Sequence, residues 1–247
     1  MKKIKILSIN MLLFCSIFFA LNVEAYGFGY KKNKTNSQPD IGIYNSILAS
    51  TNSIYVGNAD SKNIYLTFDC GYENGYTTKI LDILKDKKVN ATFFITGHYL
   101  KSATDLVLRM INEGHVVANH SDKHKDITKI SDEEIKKDIV DLETKYKNLT
   151  GKDITRFYRP PAGTFDKESL MVVSDLGYKT MFWSVAYPDW NHNKGVLFAV
   201  NEVVSNIHNG AIILLHAVSN DNAMALAIII DKLQNLGYKF TSTLELL

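Results

Sequence analysis

From Ile64 onward, short apolar runs alternate with segments whose hydrophobic residues recur at helical spacing. Ile64-Tyr-Leu-Thr-Phe68 reads as a strand and Thr77 to Lys87 as the helix after it. Ala91 to Ile95 predicts a second strand and Thr104 to Asn112 a second helix, which Gly114 ends before a third strand, His115-Val-Val-Ala118. Ser131-x-x-Glu134 is a capping box opening a long amphipathic helix that closes near Gly151. Phe157-Tyr158, Tyr178 to Trp183, Ala211 to Leu215 and Tyr238 to Phe240 read as further strands, with helices at Lys167 to Leu176, Val196 to Ile207 and Ala223 to Leu236. Repeated strand–helix units imply a parallel sheet covered by helices. About seven strands in one α/β domain suit a closed or nearly closed (β/α) barrel, with an open doubly wound sheet as the structural alternative. Either fold gathers its active site at the C-terminal ends of the strands.

The first 25 residues stand apart. Lys2, Lys3 and Lys5 precede an apolar run, Met11 to Leu21, interrupted only by Ser16, and Val23-Glu24-Ala25 follows as a small-residue cleavage site. Residues 1–25 therefore predict a signal peptide and an extracytoplasmic protein. An uncleaved anchor is the weaker alternative, because a spanning helix needs about 20 apolar residues. Residues 26–63 are rich in Asn, Ser, Lys and Gly and predict a linker or an ordered arm on the outside of the domain that occupies 64–247.

The chain's formal charge is +2, and residues 1–25 hold three lysines and Glu24, so the exported part is neutral. A neutral surface gives no reason to expect nucleic acid or anionic lipid as a partner. Beyond residue 25 only Cys70 carries a thiol, so no internal disulfide can form and stability must come from a core.

Polar and ionisable residues cluster where the predicted strands end. Asp69-Cys70-Gly71-Tyr72-Glu73 follows the first, Asn119-His120-Ser121-Asp122-Lys123-His124 the third, and Arg159-Pro160-Pro161-Ala162-Gly163 the fourth. Trp183 through Asp189-Trp190 follows the fifth, and His216 the sixth. His120 and His124, spaced i, i+4, would share one face of a helical turn and could chelate Zn²⁺, Co²⁺ or another borderline divalent ion, or be two surface histidines in a polar loop. Asp69 could be a general base acting on a metal-bound water, or a turn cap. Arg159 offers the charge that would keep Asp69 ionised, as catalytic support or as a structural ion pair. His216 could be a core histidine or a general acid, with Asp189 orienting it. Trp183, Tyr187 and Trp190 read as core or cleft walls.

Taken together, Thr67-Phe-Asp-Cys-Gly71, His120-Ser-Asp-Lys-His124, Arg159-Pro-Pro-Ala-Gly163, Asp189-Trp190 and Leu214-Leu-His216 resemble, in order, the motifs of the polysaccharide deacetylases (NodB-homology, carbohydrate esterase family 4). The resemblance implies a distorted (β/α) barrel and metal-assisted hydrolysis of an N-acetyl group on an amino sugar. By carry-over, Asp69 is the base, His216 the acid, His120 and His124 the metal ligands, and Arg159 and Asp189 the residues that tune base and acid. The metal implied is zinc, cobalt or manganese. The Ala162 backbone N–H is implied as an oxyanion donor, and Tyr72, Glu73, Ala162, Trp190 and Leu214 as substrate contacts.

Two positions depart from the pattern: Cys70 stands where the family usually has a second, metal-ligating Asp, and Ala162 where an aromatic residue is usual. Cys70 could ligate zinc as a thiolate, or be a packed side chain that leaves two histidines and water as the ligand set. Thr67 to Tyr76, Trp183 to Trp190 and Leu214 to Ala223 are similar to the delta-lactam-biosynthetic de-N-acetylases of spore-forming bacteria. That resemblance implies N-acetylmuramic acid in glycan strands whose stem peptides an amidase has removed, a product that closes to muramic-δ-lactam in the spore cortex, and a place in the cell wall or forespore intermembrane space. A general N-acetylglucosamine deacetylase and a catalytically weak wall-binding module are the competing expectations. A monomer is expected.

Overall fold

In the computed structural model, residues 24–32, 35–190 and 194–247 are described. Most of the expected signal peptide lies outside them. The chain opens with β1 (Tyr26–Gly27), α1 (Tyr44–Ala49) and β2 (Ser53–Ile54). The strand–helix alternation then runs β3 (Asn63–Cys70), α2 (Thr77–Lys87), β4 (Thr92–Ile95), α3 (Gly97–Ser102), α4 (Thr104–Asn112), β5 (Val116–Asn119) and α5 (Asp132–Thr150). It continues with β6 (Thr155–Tyr158), β7 (Thr164–Phe165), α6 (Lys167–Asp175), β8 (Lys179–Met181), α7 (Val196–Val204), β9 (Ile212–His216), α8 (Asn220–Asn235) and β10 (Lys239–Phe240).

Every pairing in the main sheet is parallel, in the order β10-β3-β4-β5-β6-β8-β2, with β9 also beside β3. The sheet curls until β9 meets the segment after β8, where a single parallel bridge joins Val185 to Ile213. The result is the distorted (β/α) barrel, with β10 stapled to the first two residues of β3.

Strand alternation explains the two-sided core. Along β3, Ile64, Leu66, Phe68 and Cys70 face the helices and join the large outer core, while Tyr65 faces inward. Inside the barrel Tyr65, Phe94, Ala118, Phe157, Met181 and Ile212 form a small apolar plug, one residue from each of six strands. Asp69 shares the inward parity of Tyr65 and stands two residue pairs further along β3, where the apolar plug gives way to polar groups.

The helix signals read from sequence have their local causes in place. Ser131 and Glu134 form the reciprocal capping box of α5, and Gly151 ends it at φ 70°. Helix α3 was not expected from periodicity; its six residues are fixed by Thr96, whose hydroxyl caps the Tyr99 N–H. Residues 26–63 carry more of the fold than their weak periodicity conveys. Strand β2 joins the main sheet beside β8, Ile41 and Leu48 are buried, and the Phe28 ring stacks on Phe182 at 4.3 Å. These contacts are aromatic and long-range, so no local period announces them.

Candidate active site

Arg159 enters the barrel from the end of β6 and is fully buried. Its Nη1 donates to Asp69 Oδ1 at 2.8 Å and to Thr67 Oγ1 at 2.9 Å, while Nε donates to the Met181 carbonyl at 3.0 Å. The guanidinium lies 4.0 Å from the centre of the Phe94 ring, the top of the apolar plug. Burial would raise the Asp69 pKa, but the charge of Arg159, with smaller help from His120 and His216, outweighs it and lowers it below the ordinary value. Asp69 is therefore a carboxylate at neutral pH, with Oδ1 occupied by Arg159 and Oδ2 turned toward His120.

The histidine pair is not on a helical turn. After β5 the chain forms a loop in which Ser121 and His124 take left-handed conformations, φ 69° and 53°. Side chains hold it there: Asn119 Oδ1 accepts the Ser121 N–H at 2.8 Å, Ser121 Oγ accepts the His124 N–H at 2.7 Å, and the Asp138 carboxylate on α5 accepts the N–H groups of Asp122 and Lys123. The loop still brings the two imidazoles together, edge to face with centroids 5.0 Å apart. Loop hydrogen bonds do what the i, i+4 spacing was expected to do.

His120 Nδ1 lies 2.9 Å from the Arg159 carbonyl, so Nδ1 carries the proton and Nε2 presents its lone pair, 3.7 Å from Asp69 Oδ2. Burial pushes the His120 pKa down to about 4 and lowers that of His124 as well, which keeps both rings neutral.

His216 ends β9, and its Nδ1 lies 2.7 Å from Asp189 Oδ1. Burial disfavours the imidazolium, yet the hydrogen bond and charge of Asp189, joined by the charge of Asp69, raise its pKa above 6.5 overall. The Trp190 ring packs 4.9 Å from the imidazole. With Nδ1 engaged, Nε2 is the nitrogen left for the cleft.

These groups line a cleft of about 520 Å³ at the C-terminal end of the barrel. Asp69, Tyr72, His120, His124, Ala162, Trp190, Leu214 and His216 all contribute to its wall, joined by Trp183 and Val218. Ala162 sits at φ 54° in the turn after β6. The next residue must be glycine: Gly163 is at φ 67°, and a Cβ there would come within 2.7 Å of Trp183.

Two expected site residues lie elsewhere. Glu73 is not in the cleft wall; it turns back to cap α2, accepting from the Gly75 N–H at 2.6 Å, from the Thr77 hydroxyl and from the Tyr99 hydroxyl at 3.2 Å. A carboxylate before a helix start is stabilised by the helix dipole, and that local pull decides its direction. Cys70 points away from Asp69, as alternation demands, and is fully buried in the outer core. Burial pushes its thiol pKa well up, with Asp69 and Glu73 adding to the shift.

The metal implied by the motifs can thus be tested against the donors present. His120 fits: its Nδ1–H is anchored on a carbonyl, the arrangement that orients a ligating imidazole, and its Nε2 is free of a proton. His124 fits as a neutral neighbour. Cys70 does not fit, and among the described residues no group of three or more His, Cys, Asp and Glu side chains is arranged for a metal ion. Sequence reading missed Thr67, Asn119, Asp138 and Asn222, which hold the site rather than line it; only their nearness to strand ends and caps could have flagged them.

Residues 56–181 match the family model described as polysaccharide deacetylase. The chain is 42% identical to the peptidoglycan-N-acetylmuramic acid deacetylase PdaA of Bacillus subtilis, over 91% of this chain and 86% of that protein. Its fold superposes on the structure of that family 4 carbohydrate esterase with a TM-score of 0.87, covering 90% of this chain and 97% of the other. A family 4 carbohydrate esterase from Bacillus anthracis is also 42% identical, with a TM-score of 0.77 over 90% of this chain and 96% of that one. A peptidoglycan-N-acetylglucosamine deacetylase of Bacillus cereus is 35% identical over 76% of this chain and 89% of its own length.

Proposed function

The chain belongs to the polysaccharide deacetylase family, hydrolases of N-acetyl groups, and from that premise we propose that it deacetylates N-acetylmuramic acid in peptidoglycan stripped of its stem peptides. In this reading an amidase acts first, and the freed amine then closes on the lactyl carboxyl to give muramic-δ-lactam in spore cortex. The lysines and apolar run of residues 1–25 support export to the wall or the forespore intermembrane space.

One observation carries the catalytic reading. Asp69 and His216 are register partners on the adjacent parallel strands β3 and β9, with both side chains on the cleft. Neighbouring strands lie about 4.8 Å apart, so base and acid flank one small reacting group. Asp69 Oδ2 takes a proton from the attacking water, which adds to the acyl carbon. His216 Nε2 gives a proton to the departing nitrogen as the C–N bond breaks, and acetate and a free amine result. The Ala162 backbone N–H is assigned to the oxyanion. Tyr72 and Trp190, both more than half exposed at the rim, offer faces for sugar rings.

Deacetylases of this family are in general metal-dependent. His120 and His124 would hold a divalent ion, which would supply Lewis-acid polarisation of the acyl oxygen and ease loss of a proton from water.

The preference for muramic acid rests on the greater identity to the relative named as an N-acetylmuramic acid deacetylase, 42% against 35%. An N-acetylglucosamine deacetylase is the second reading, favoured by that Bacillus cereus relative. Incubation of the protein with peptide-free glycan strands and with N-acetylglucosamine oligomers, with acetate release and mass loss mapped to each sugar, separates the two. Deacetylation confined to glucosamine would overturn the muramic assignment. A catalytically weak wall-binding module, in which Cys70 has disabled the metal site, is the reading of another class; it predicts glycan binding that survives Asp69→Asn and no deacetylation by either form.

A further inference from the structure

Behind His216 lies a buried polar chain that runs from Asp189 through Asn222 to Tyr187. Asn222 stands in the first turn of α8, where the Ser219 hydroxyl caps its N–H, and its side chain is fully buried. Its Nδ2 donates to Asp189 Oδ2 and to the His216 carbonyl at 3.1 Å, and its Oδ1 accepts the Tyr187 hydroxyl. Asp189 Oδ2 also takes the His216 backbone N–H at 2.8 Å, while Oδ1 takes Nδ1. Every donor and acceptor of the Asn222 amide used here has one partner of the opposite kind, and that fixes which way the amide faces.

We propose that Asn222, locked by Tyr187, is a positioning residue that holds the Asp189 carboxylate and through it sets the orientation of the His216 imidazole. The inference rests on His216 serving as the acid in the proposed reaction. The physical need is specific. Without Asn222, the Asp189 carboxylate keeps only the His216 backbone N–H and Nδ1 among the contacts described here, one fixed point on β9 instead of two, so it can turn about that bond and carry the imidazole with it. A primary amide is the group for this place because it meets two acceptors with one end and a hydroxyl with the other. A carboxylate of the same shape cannot do so: it would set oxygen against oxygen at Asp189. Burial raises the Tyr187 pKa well above the ordinary phenol value, so the hydroxyl stays a donor at all working pH and keeps the Asn222 carbonyl turned toward it.

The network also ties the site to the helix that carries it. Asp221, the neighbour of Asn222, accepts the Gly195 N–H at 2.7 Å and so anchors the start of α7 to the same turn of α8. The placement of the acid therefore depends on the N-terminal turn of α8 and not on β9 alone.

The test uses Asn222→Ala, Asn222→Asp and Tyr187→Phe in the full chain, with two readouts. The first is the imidazole resonance pattern of His216 in long-range proton–nitrogen NMR spectra, which needs no substrate. The second is the kcat and KM for deacetylation of peptide-free glycan. Asn222→Ala is expected to cut kcat about 10- to 100-fold with KM little changed, and to shift the His216 Nδ1 proton resonance. Asn222→Asp should be at least as damaging despite its shape, and Tyr187→Phe should give a smaller loss in the same direction. A folded Asn222→Ala protein with the wild-type His216 resonances and wild-type kcat would overturn the proposal, as would an Asn222→Asp protein indistinguishable from wild type. If both Asn222 variants fail to fold, Tyr187→Phe decides by the same readouts: an unmoved His216 resonance overturns it. Absence of any deacetylation by the wild-type protein would defeat the functional reading instead, and the resonances would still decide the positioning role.

Discussion

Asp69 and His216 face one another across a single pair of adjacent strands, each held from behind by an oppositely charged partner, Arg159 for the first and Asp189 for the second. The two supports push the pKa values apart, Asp69 down and His216 up, the sense the proposed base and acid require. In the proposed reaction the two act on one reacting group, so Asp69→Asn and His216→Ala should each lower kcat by about 10²- to 10⁴-fold. The double variant should be little worse than either single one, because groups that act as a unit are not additive. Steady-state rates of acetate release on peptide-free glycan check this.

The Arg159–Asp69 pair predicts a stability effect separable from catalysis. Arg159 is fully buried and Asp69 nearly so, and removing one partner leaves the other charge uncompensated in a low-dielectric interior. Arg159→Ala should cost about 3–5 kcal/mol in urea unfolding. Asp69→Asn, which keeps a hydrogen-bond acceptor for Nη1, should cost less.

The raised His216 pKa fixes the sign of a pH effect. His216, the proposed acid, stays protonated to a pH above its ordinary 6.5, so the basic limb of kcat/KM should lie above that value. Asp189→Asn removes both the hydrogen-bonding carboxylate and its charge, and should move that limb to lower pH while lowering kcat. A pH–rate profile of the two proteins reads the shift directly.

Metal handling separates the histidines from the thiol. A chelator should lower turnover, and added zinc or cobalt should restore it. His120→Ala and His124→Ala should weaken affinity in competition with a chelating dye, by about 10-fold or more. Cys70→Ala should leave that affinity unchanged, because its sulfur lies in the outer core. Cys70→Asp should unfold the protein rather than repair a ligand set, since it would bury an unpaired carboxylate.

His115 is not among the residues that line the cleft, but it bears on stability. Its Nδ1 accepts the Ala91 N–H at 3.2 Å, and burial drives its pKa down to about 4. The unfolded chain takes up a proton near 6.5 and the folded protein does not, so the stability His115 permits at neutral pH is lost progressively as pH falls from about 6.5 toward 4. Thermal unfolding should therefore drop between about pH 7 and pH 5, and less so in His115→Gln.

The order of strands and helices was readable from the chain because it rests on local causes. Period-2 and helical hydrophobic patterns, the Ser131–Glu134 box and the closing Gly151 each act within a few residues. The same is true of the site's raw material, since residues that follow strands must gather at one end of a parallel barrel. Direction was a different matter. Asp69 and Cys70 are neighbours, and only their opposite faces on β3 send one to the cleft and the other to the core. Glu73 was drawn off to cap α2, and the histidine pair owes its geometry to a loop clasped by Asn119, Ser121 and Asp138 rather than to helical spacing. Residues 26–63 read only as a linker or an ordered arm, and Asn222 not at all, for the same physical reason: their partners, Phe182 and β8 for the arm, Asp189 and Tyr187 for Asn222, are distant in sequence and meet them only when the barrel curls.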